Sequence, residues 1–315
     1  MQIIQNQEKF ILNHPTAVAI GKFDGVHVGH KKLLSEILKQ KEQGFLACVF
    51  TFDPSPAVFF GKAPAGELTT KAEKRKLFEK MGVDILVEFP MNANTAQITP
   101  ESFVSDVLVG MLNAKFVVAG EDVSFGDKGK GDARLLESMG VKLGYETVLI
   151  NKVCVQGREV SSTFVRECVE QGDMEKVSEL LGMPYCIEGE VLHGHKLGRK
   201  LQMPTINMRP EEGKLLPPFG VYFSLVSIWD EESGQMKTYG GITNIGCKPT
   251  VENEKVVGAE THIFDFDGDL YGQKVCVKLL KFHRPERRFA DVGMLREELH
   301  KDSKICRKYL EKRHK

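Results

Sequence analysis

Between Thr16 and Leu181, short apolar stretches alternate with amphipathic helical patterns. The stretches "AVAI", "FLACVFTF", "DILVEF" and "FVVAG" are rich in β-branched and aromatic residues, whereas "KKLLSEILKQKEQ" and "KAEKRKLFEKMG" repeat their apolar residues with helical spacing. Strands that alternate with helices of this length predict right-handed βαβ units and a parallel sheet. The first half of the chain is therefore predicted to be an α/β domain.

The second half has a different pattern, in which strands are separated by Gly, Pro and Asp turns. The predicted strands are "CIEGEVLHG", "GVYFSLVSIW", "TYGGITNIG", "VVGAETHIFDF" and "QKVCVKLLKFH". Several strands with little helix between them favour a small antiparallel barrel or sandwich. The final stretch, "DVGMLREELHKDSKICRKYLEK", has apolar residues at helical spacing and predicts a closing helix.

The change of pattern falls at "LGMPY", between Leu181 and Tyr185. It predicts one domain over residues 1–183 and a second over residues 184–315. A chain of 315 residues is long enough for roughly two domains of about 150 residues, each with its own core.

Charge and cysteine usage narrow the class of protein. The 43 basic and 43 acidic residues cancel, so no overall field favours a nucleic-acid partner. The seven cysteines are scattered and never spaced as C-x-x-C, which indicates reduced thiols. No apolar run approaches the ~18 residues of a membrane span. We expect a soluble cytoplasmic protein without a membrane partner, and its oligomeric state stays open.

The stretch "GKFDGVHVGH", residues 21–30, places two histidines between an apolar strand and a helix. A helix N-terminus offers unpaired N–H groups and a partial positive charge worth about 0.3 to 1 kcal/mol to a nearby anion. His27 and His30 can donate hydrogen bonds to a phosphoryl group as its charge grows. The alternative is a capped turn with two incidental histidines. No G-x-x-x-x-G-K-[ST] motif is present, so a P-loop is not the explanation.

With three further stretches, "VFTFDPSP", "AGEDVSFG" and "VSSTFVR", this motif resembles the HxGH nucleotidyltransferases. More narrowly, the chain resembles the prokaryotic bifunctional riboflavin kinase/FMN adenylyltransferase family, also called FAD synthetase. The resemblance implies a Rossmann-like first domain with an ATP site. The residues that it implies for catalysis there are His27, His30 and Arg166. Those that it implies for cofactor binding are Gly21, Phe23, Asp24, Gly29, Asp53, Asp122, Ser161, Ser162 and Thr163.

The residues of "SSTFVREC" support a phosphate site in their own right. Hydroxyl side chains suit a helix N-cap, and Arg166 follows one turn later, so hydroxyls and guanidinium would lie together over phosphate oxygens. The alternative is an ordinary helix cap. The chain departs from the family pattern at Lys22, at Ser55 and at Val123–Ser124, where the family usually has an aromatic–arginine pair.

The stretch "GEVLHGHKLGRKLQMPTINM" combines glycines, basic residues and a Pro-Thr-x-Asn motif. It resembles the nucleotide loop of the riboflavin kinase module, which implies nucleotide contacts by Gly194, Lys196, Gly198 and Arg199. Hydroxyl and amide oxygens are hard neutral ligands that suit Mg²⁺, and the resemblance implies that Thr205 and Asn207 contact Mg²⁺ and ATP. His193 and His195 could be taken for a metal pair, but no third ligand stands at a recognisable spacing.

"GAETHIFDFDGDLYG", residues 258–272, also resembles the family, and there the resemblance makes Glu260 the general base for the ribityl 5′-hydroxyl. The alternative is a strand glutamate that faces solvent. The aspartates of "DFDGDLYG" do not form an EF-hand loop, because Lys274 stands where that loop needs glutamate.

The sequence thus predicts two consecutive reactions on one chain. A riboflavin kinase barrel would make FMN with ATP, and the first domain would adenylylate FMN to FAD, with Mg²⁺ in both steps. Two alternatives stay open at this point. One is a riboflavin kinase whose adenylyltransferase domain is impaired through the change at Val123–Ser124, and the other is a regulator that binds flavin or nucleotide without turnover.

Overall fold

The structure is a computed structural model that describes residues 1–62, 66–193, 203–230, 233–249 and 255–313. Contacts divide the chain into two compact units, Met1–Phe164 and Val165–Lys315. The predicted domain boundary between residues 183 and 184 lies further along the chain than this division, and it stays a prediction.

The first unit contains a parallel sheet of six strands in the order β1-β4-β3-β2-β5-β6. The α/β prediction is confirmed. The strands are β1 (Gln2–Gln5), β2 (Thr16–Ile20), β3 (Leu46–Asp53), β4 (Ile85–Pro90), β5 (Ala114–Gly120) and β6 (Glu146–Ile150). A short hairpin of β7 (Cys154–Val155) and β8 (Arg158–Glu159) follows the sheet.

Helices cover both faces of this sheet. They are α1 (Val28–Lys39), α2 (Pro56–Phe59), α3 (Lys71–Met81), α4 (Pro100–Ser102), which a π-type helix (Phe103–Met111) continues, and α5 (Ala133–Leu143). Successive residues of a strand face opposite sides, so β2 sends Val18 and Ile20 into one core cluster and Ala17 and Ala19 into the other. Both faces of β2 are therefore buried, as its unbroken apolar sequence requires.

Two helices, α6 (Ser162–Gln171) and α7 (Met174–Leu181), precede a closed barrel in the order β10-β13-β12-β11-β14-β9. All of its strand pairs are antiparallel, so the barrel prediction is confirmed. The strands are β9 (Tyr185–Leu192), β10 (Thr205–Pro210), β11 (Gly220–Asp230), β12 (Gln235–Pro249), β13 (Lys255–Ile263) and β14 (Lys274–Pro285).

The predicted closing helix is α8 (Val292–Arg313), which packs on the outside of the barrel. Its Cys306 and Leu310 join a buried cluster with Phe223, Ile242 and Leu280 from three strands. Among the described helices, none combines the length and the apolar character of a membrane-spanning segment.

One cysteine pair departs from the prediction of reduced thiols. Cys186 on β9 and Cys276 on β14 form a disulfide, with Cα atoms 6.3 Å apart, whereas the other five cysteines are free. The barrel pairs Cys186 with Lys278 and Cys276 with Glu188, so the two cysteines are diagonal neighbours. They are separated by 90 residues in sequence, and only the strand pairing brings them together.

Candidate active sites

The first motif lies where the strand order of the parallel sheet reverses. The chain moves from β2 to β3 and β4 on one side, whereas β5 and β6 lie on the other side of β2. Open α/β sheets bind ligands at the carboxyl ends of the strands beside such a reversal. The loop of residues 21–27 follows β2, and the loop of residues 121–126 follows β5. Both loops therefore lie at the carboxyl ends of neighbouring central strands, where open α/β sheets bind ligands.

His27 and His30 are stacked at the N-terminus of α1. His27 is the N-cap residue, and its Nδ1 accepts a hydrogen bond of 3.3 Å from the backbone N–H of His30. Since Nδ1 is the acceptor, the proton of neutral His27 lies on Nε2. The two ring centroids are 3.7 Å apart. A Cβ atom at Gly29 would lie 3.1 Å from the His27 ring, so the ring and the glycine occupy the same corner of the turn.

Both imidazoles are neutral at physiological pH. Burial lowers the pKa of His27 to about 4, and the nearby charge of Asp24 opposes this shift only in part. Burial, and then the neighbouring His27, lower the pKa of His30 well below its usual value. His30 Nδ1 is buried and has no hydrogen-bond partner among the described residues. An unpaired buried polar atom costs about 1–3 kcal/mol, so a ligand that pairs with it would remove a real penalty.

The turn before the histidines is held in an unusual backbone conformation. Phe23 has a φ of +51° and Val26 a φ of +43°, in the left-handed region that residues with a Cβ rarely adopt. Asp24 Oδ1 stabilises the turn by accepting hydrogen bonds from the N–H groups of Leu68, at 2.9 Å, and Thr69, at 3.3 Å. Phe23 is fully buried, with its ring 5.1 Å from that of His30. Phe23 and Asp24 thus shape the loop that presents the histidines.

The start of α6 adjoins the same loop. Ser162 Oγ donates a hydrogen bond of 2.9 Å to the backbone oxygen of Asp24, and Ser161 Oγ accepts one of 3.2 Å from the N–H of Phe164. Ser161 therefore caps the helix, as the alternative interpretation expected, while Ser162 links the helix to the loop. Thr163 is exposed, and Arg166 follows one turn later on the same helix and is partly buried.

The remaining predicted residues of this unit have other partners. Asp53, at the end of β3, forms an ion pair with Lys71, and Asp122 lies 3.6 Å from Lys152 Nζ. At Gly21, a Cβ atom would lie 3.0 Å from the Phe23 ring. The structure thus gathers Gly21, Phe23, Asp24, His27, Gly29, His30, Ser161 and Ser162 around one loop. Their roles in binding and catalysis stay predictions, as do those of Asp53, Asp122, Thr163 and Arg166.

The second candidate site is a row of polar side chains on the outer surface of the barrel. Glu260 on β13 lies directly opposite Asn207 on β10 and Asn244 on β12. The neighbouring Thr243 and Thr261 are fully buried inside the barrel, so the three polar side chains alternate to the outside. Directly opposed residues of antiparallel strands have Cβ atoms about 4.5–5.5 Å apart. The row is therefore compact enough for one substrate to contact all three side chains.

Thr205 and His262 form the adjacent pair on the same face. The His262 Nδ1 lies 2.9 Å from the backbone oxygen of Pro204, and since a carbonyl only accepts, Nδ1 carries the proton. Burial lowers the pKa of His262. This hydrogen bond ties the start of β10, and with it Thr205, to the strand that carries Glu260.

A cavity of about 310 Å³ opens beside Thr205. It is lined by Val191, Pro204, Thr205, Ile206 and Ile263, and by residues 266–271. On the other side of the row, Gly246 and Gly258 lie directly opposite each other and carry no side chains. Glu260 therefore stands between a cavity and a pair of glycines, of which Gly246 lies against the Glu286 carboxylate.

The second site differs from its prediction in the residues that the structure describes and in one further side chain. Gly194, Lys196, Gly198 and Arg199 lie outside the described residues. Asn244 was not predicted from the sequence, and its Nδ2 donates a hydrogen bond of 2.9 Å to Glu286 Oε1. The sequence shows only a single amide between Thr243 and Ile245 in "GITNIG", and its position opposite Glu260 follows from the strand register.

Comparison with known proteins assigns each half to a family. The model for FAD synthetase matches residues 10–164, and the model for riboflavin kinase matches residues 181–310. The first range contains residues 21–30, here called the histidine loop, and the second contains the polar row of Asn207, Asn244 and Glu260.

Curated relatives match the chain over nearly its full length. A protein of Buchnera aphidicola is 35% identical over 97% of this chain and 97% of its own length. Proteins of Escherichia coli K12, 35% identical, and Bacillus subtilis, 32% identical, each match over 93% of this chain and 92% of their own length. All three are named bifunctional riboflavin kinase/FMN adenylyltransferase.

A solved structure from Streptococcus pneumoniae, named a macrolide-efflux protein, is also similar. Its TM-score is 0.84 at 28% identity, over 97% of this chain and 98% of that chain. This similarity supports a shared fold. The name refers only to the Streptococcus pneumoniae protein.

The fold and the two sites define a transferase with a nucleotidyltransferase-type unit and a kinase-type barrel. The chain belongs to the bifunctional riboflavin kinase/FMN adenylyltransferase family. It is an enzyme with both activities, rather than a kinase with an impaired second domain or a regulator without turnover.

Proposed function

We propose that the barrel transfers the γ-phosphoryl group of ATP to the 5′-hydroxyl of riboflavin, with Glu260 as the general base. The observation that carries this proposal is the position of Glu260, between the cavity beside Thr205 and the surface at Gly246 and Gly258. A nucleotide in the cavity would approach Glu260 from one side, and the flavin would approach from the other. A positioned base typically contributes 10²- to 10⁴-fold in rate.

We also propose that Thr205 and Asn207 hold Mg²⁺ in this site. Both lie on the outer face of β10, and Asn207 is directly opposite Glu260. The two donors are a hydroxyl and an amide oxygen, and Mg²⁺ prefers oxygen ligands. When bound, the ion would neutralise charge on the transferred phosphoryl group. Gly194, Lys196, Gly198 and Arg199 are retained as proposed nucleotide contacts.

For the first unit, we propose that the FMN phosphate attacks the α-phosphorus of ATP at the histidine loop, with release of pyrophosphate. Since both imidazoles are neutral, His27 and His30 would stabilise the developing charge as hydrogen-bond donors. The N–H groups at the start of α1 would bind phosphate oxygens. Arg166, Ser161, Ser162 and Thr163 are proposed phosphate contacts on chemical grounds.

The functional division that we propose follows the sequence pattern. Residues 1–183 would form the adenylyltransferase and residues 184–315 the kinase. The substrates are small molecules that include ATP, and the use of ATP favours a place in the cytoplasm.

Product analysis of two variants tests these assignments. We expect Glu260→Ala to lower FMN formation from riboflavin roughly 10²- to 10⁴-fold, while it still converts supplied FMN to FAD. His30→Ala should do the reverse and stop at FMN. Each variant is the control for the other, because each retains one activity as proof of folding. Wild-type FMN formation by Glu260→Ala would contradict the kinase assignment.

A further inference from the structure

The amide of Asn244 is oriented by a second carboxylate. Glu286 can only accept, so its hydrogen bond of 2.9 Å identifies Nδ2 of Asn244 as the donor. The Oδ1 atom is then turned away from Glu286, on the opposite side of the planar amide. Asn244 lies directly opposite Glu260 on the neighbouring strand. The pair thus places one hydrogen-bond acceptor of fixed orientation beside the proposed base.

Glu286 is held in place by ion pairs on both sides. Two residues before it, Arg284 is buried and binds both carboxylate oxygens of Asp302 on α8, with contacts of 2.7 and 3.1 Å to Oδ2 and 3.3 Å to Oδ1. Arg287, the residue after Glu286, donates a hydrogen bond of 3.0 Å to Glu298, which also lies on α8. The backbone at Glu286 is therefore fixed against α8, although the Glu286 side chain itself is exposed.

The glycine at position 246 accommodates this carboxylate. A Cβ atom at Gly246 would lie 2.1 Å from Glu286 Oε1 and 3.3 Å from Asn244 Nδ2. Any side chain there would displace Glu286 and release the amide of Asn244. At Gly258, opposite Gly246, the nearest atom to such a Cβ is the backbone oxygen of Met208, at 3.7 Å. Among the described residues, no side chain therefore covers Gly258, which is diagonal to Asn244, whereas the Glu286 carboxylate covers Gly246.

We propose that Asn244, positioned by Glu286, recognises the polyol chain of the flavin by accepting a hydrogen bond from the hydroxyl next to the one that is phosphorylated. A polyol carries hydroxyls on adjacent carbons, and opposed side chains about 5 Å apart at Cβ can contact two of them together. Glu260 takes the proton of the reacting hydroxyl, and Asn244 fixes its neighbour. This inference rests on the proposed function, which places phosphoryl transfer at Glu260.

Flavin binding measured by fluorescence tests the recognition step. The two ligands are riboflavin and an analogue that lacks the 4′-hydroxyl, and the enzyme is the full chain with ATP absent. Because a site built around a hydrogen bond loses affinity when that bond is removed, we expect Asn244→Ala to weaken riboflavin binding roughly 10- to 100-fold. The wild type and Asn244→Ala should bind the analogue alike. An equal loss for both ligands would overturn the proposal.

Two substitutions of Glu286 test its positioning role in the kinase reaction. Gln keeps an oxygen that accepts from Asn244, whereas Ala removes it. We expect Glu286→Ala to raise KM for riboflavin roughly 10-fold with a smaller change in kcat, and Glu286→Gln to retain most of the wild-type KM. Equal defects in the two variants would contradict the positioning role.

Matched controls separate this inference from the proposed function. Glu297→Ala changes an exposed glutamate of α8, and its KM for riboflavin should equal that of the wild type. FAD formation from supplied FMN reports on the first unit in every variant. If Glu260→Ala abolishes FMN formation while Asn244→Ala binds riboflavin normally, the recognition role fails and the assignment of the base stands. If Glu260→Ala retains FMN formation, both fail.

Discussion

Burial determines the chemistry of the two stacked histidines. Their rings stack against each other 3.7 Å apart, and burial holds both imidazoles in the neutral form. A neutral imidazole donates a hydrogen bond without bringing a positive charge that the buried site would have to stabilise. Gly29 suits this arrangement, because a Cβ atom there would lie 3.1 Å from the His27 ring and the ring would have to shift slightly.

The same burial predicts how the stability of the enzyme depends on pH. The folded pKa of His27 is about 4, below its usual value of 6.5, so the unfolded state binds more protons between these values. The contribution of His27 to the free energy of unfolding is complete above pH 6.5. It falls as the pH decreases toward 4, by about 3 kcal/mol in total. Urea unfolding followed by circular dichroism at pH 4.5 to 7.5 measures this dependence.

The variant His27→Gln is the control for this measurement, because glutamine does not titrate. Its free energy of unfolding should vary less with pH than that of the wild type. Parallel pH profiles for the two proteins would contradict a buried neutral His27. Trp229, the single tryptophan, lies on β11 and reports on the barrel separately by fluorescence.

At the scale of elements, the sequence pattern predicts the long apolar strands but not the short or polar ones. β3 and β11 have continuous apolar patterns, since burial on a strand demands them. β1 has only four residues, of which one is buried, so it leaves almost no pattern. The side chains of β10 are mostly half-buried. Its sequence therefore lacks an apolar strand pattern and shows only the Pro-Thr-x-Asn motif.

The site residues divide in the same way. His27, His30 and Glu260 stand in local motifs, which a sequence displays directly. Asn244, Glu286 and the cysteine pair on β9 and β14 acquire their meaning from partners on other strands. Register across a barrel is set by the packing of the whole sheet, so no local pattern predicts these contacts.

The attachment of α8 to the end of β14 gives a prediction at this scale. Asp302 is 2% exposed and binds both Arg284 and His283. Removing one partner of a buried ion pair leaves the other charge without compensation, at a cost of about 3–5 kcal/mol. We expect Asp302→Ala to lower the free energy of unfolding of the barrel by this amount, measured in urea by Trp229 fluorescence.

The exposed Lys304, on the same helix, provides the comparison. Lys304→Ala should change the free energy of unfolding by less than about 0.5 kcal/mol. A similar small change for Asp302→Ala would show that the ion pair does not fasten α8 to the barrel.

At the scale of the whole molecule, the two candidate sites are built mainly from different units. The sheet of the first unit has a core cluster on each face, and the barrel has a separate cluster under α8. The histidine loop is built from residues of the first unit, and the polar row is built from residues of the second. A substitution in one site should therefore leave the other site intact, and we expect FMN released by one molecule to serve as substrate for another.

Mixing two inactive variants tests this independence. Neither Glu260→Ala nor His30→Ala alone should make FAD from riboflavin and ATP, whereas an equimolar mixture should, because FMN made by the second variant diffuses to the first. FAD should appear after a lag that shortens as the concentration of Glu260→Ala rises, as chromatography of timed samples would show. As a control, His30→Ala mixed with the double variant should accumulate FMN only. If the mixture also stops at FMN, the two sites do not work independently, and transfer of FMN requires both intact units in one chain.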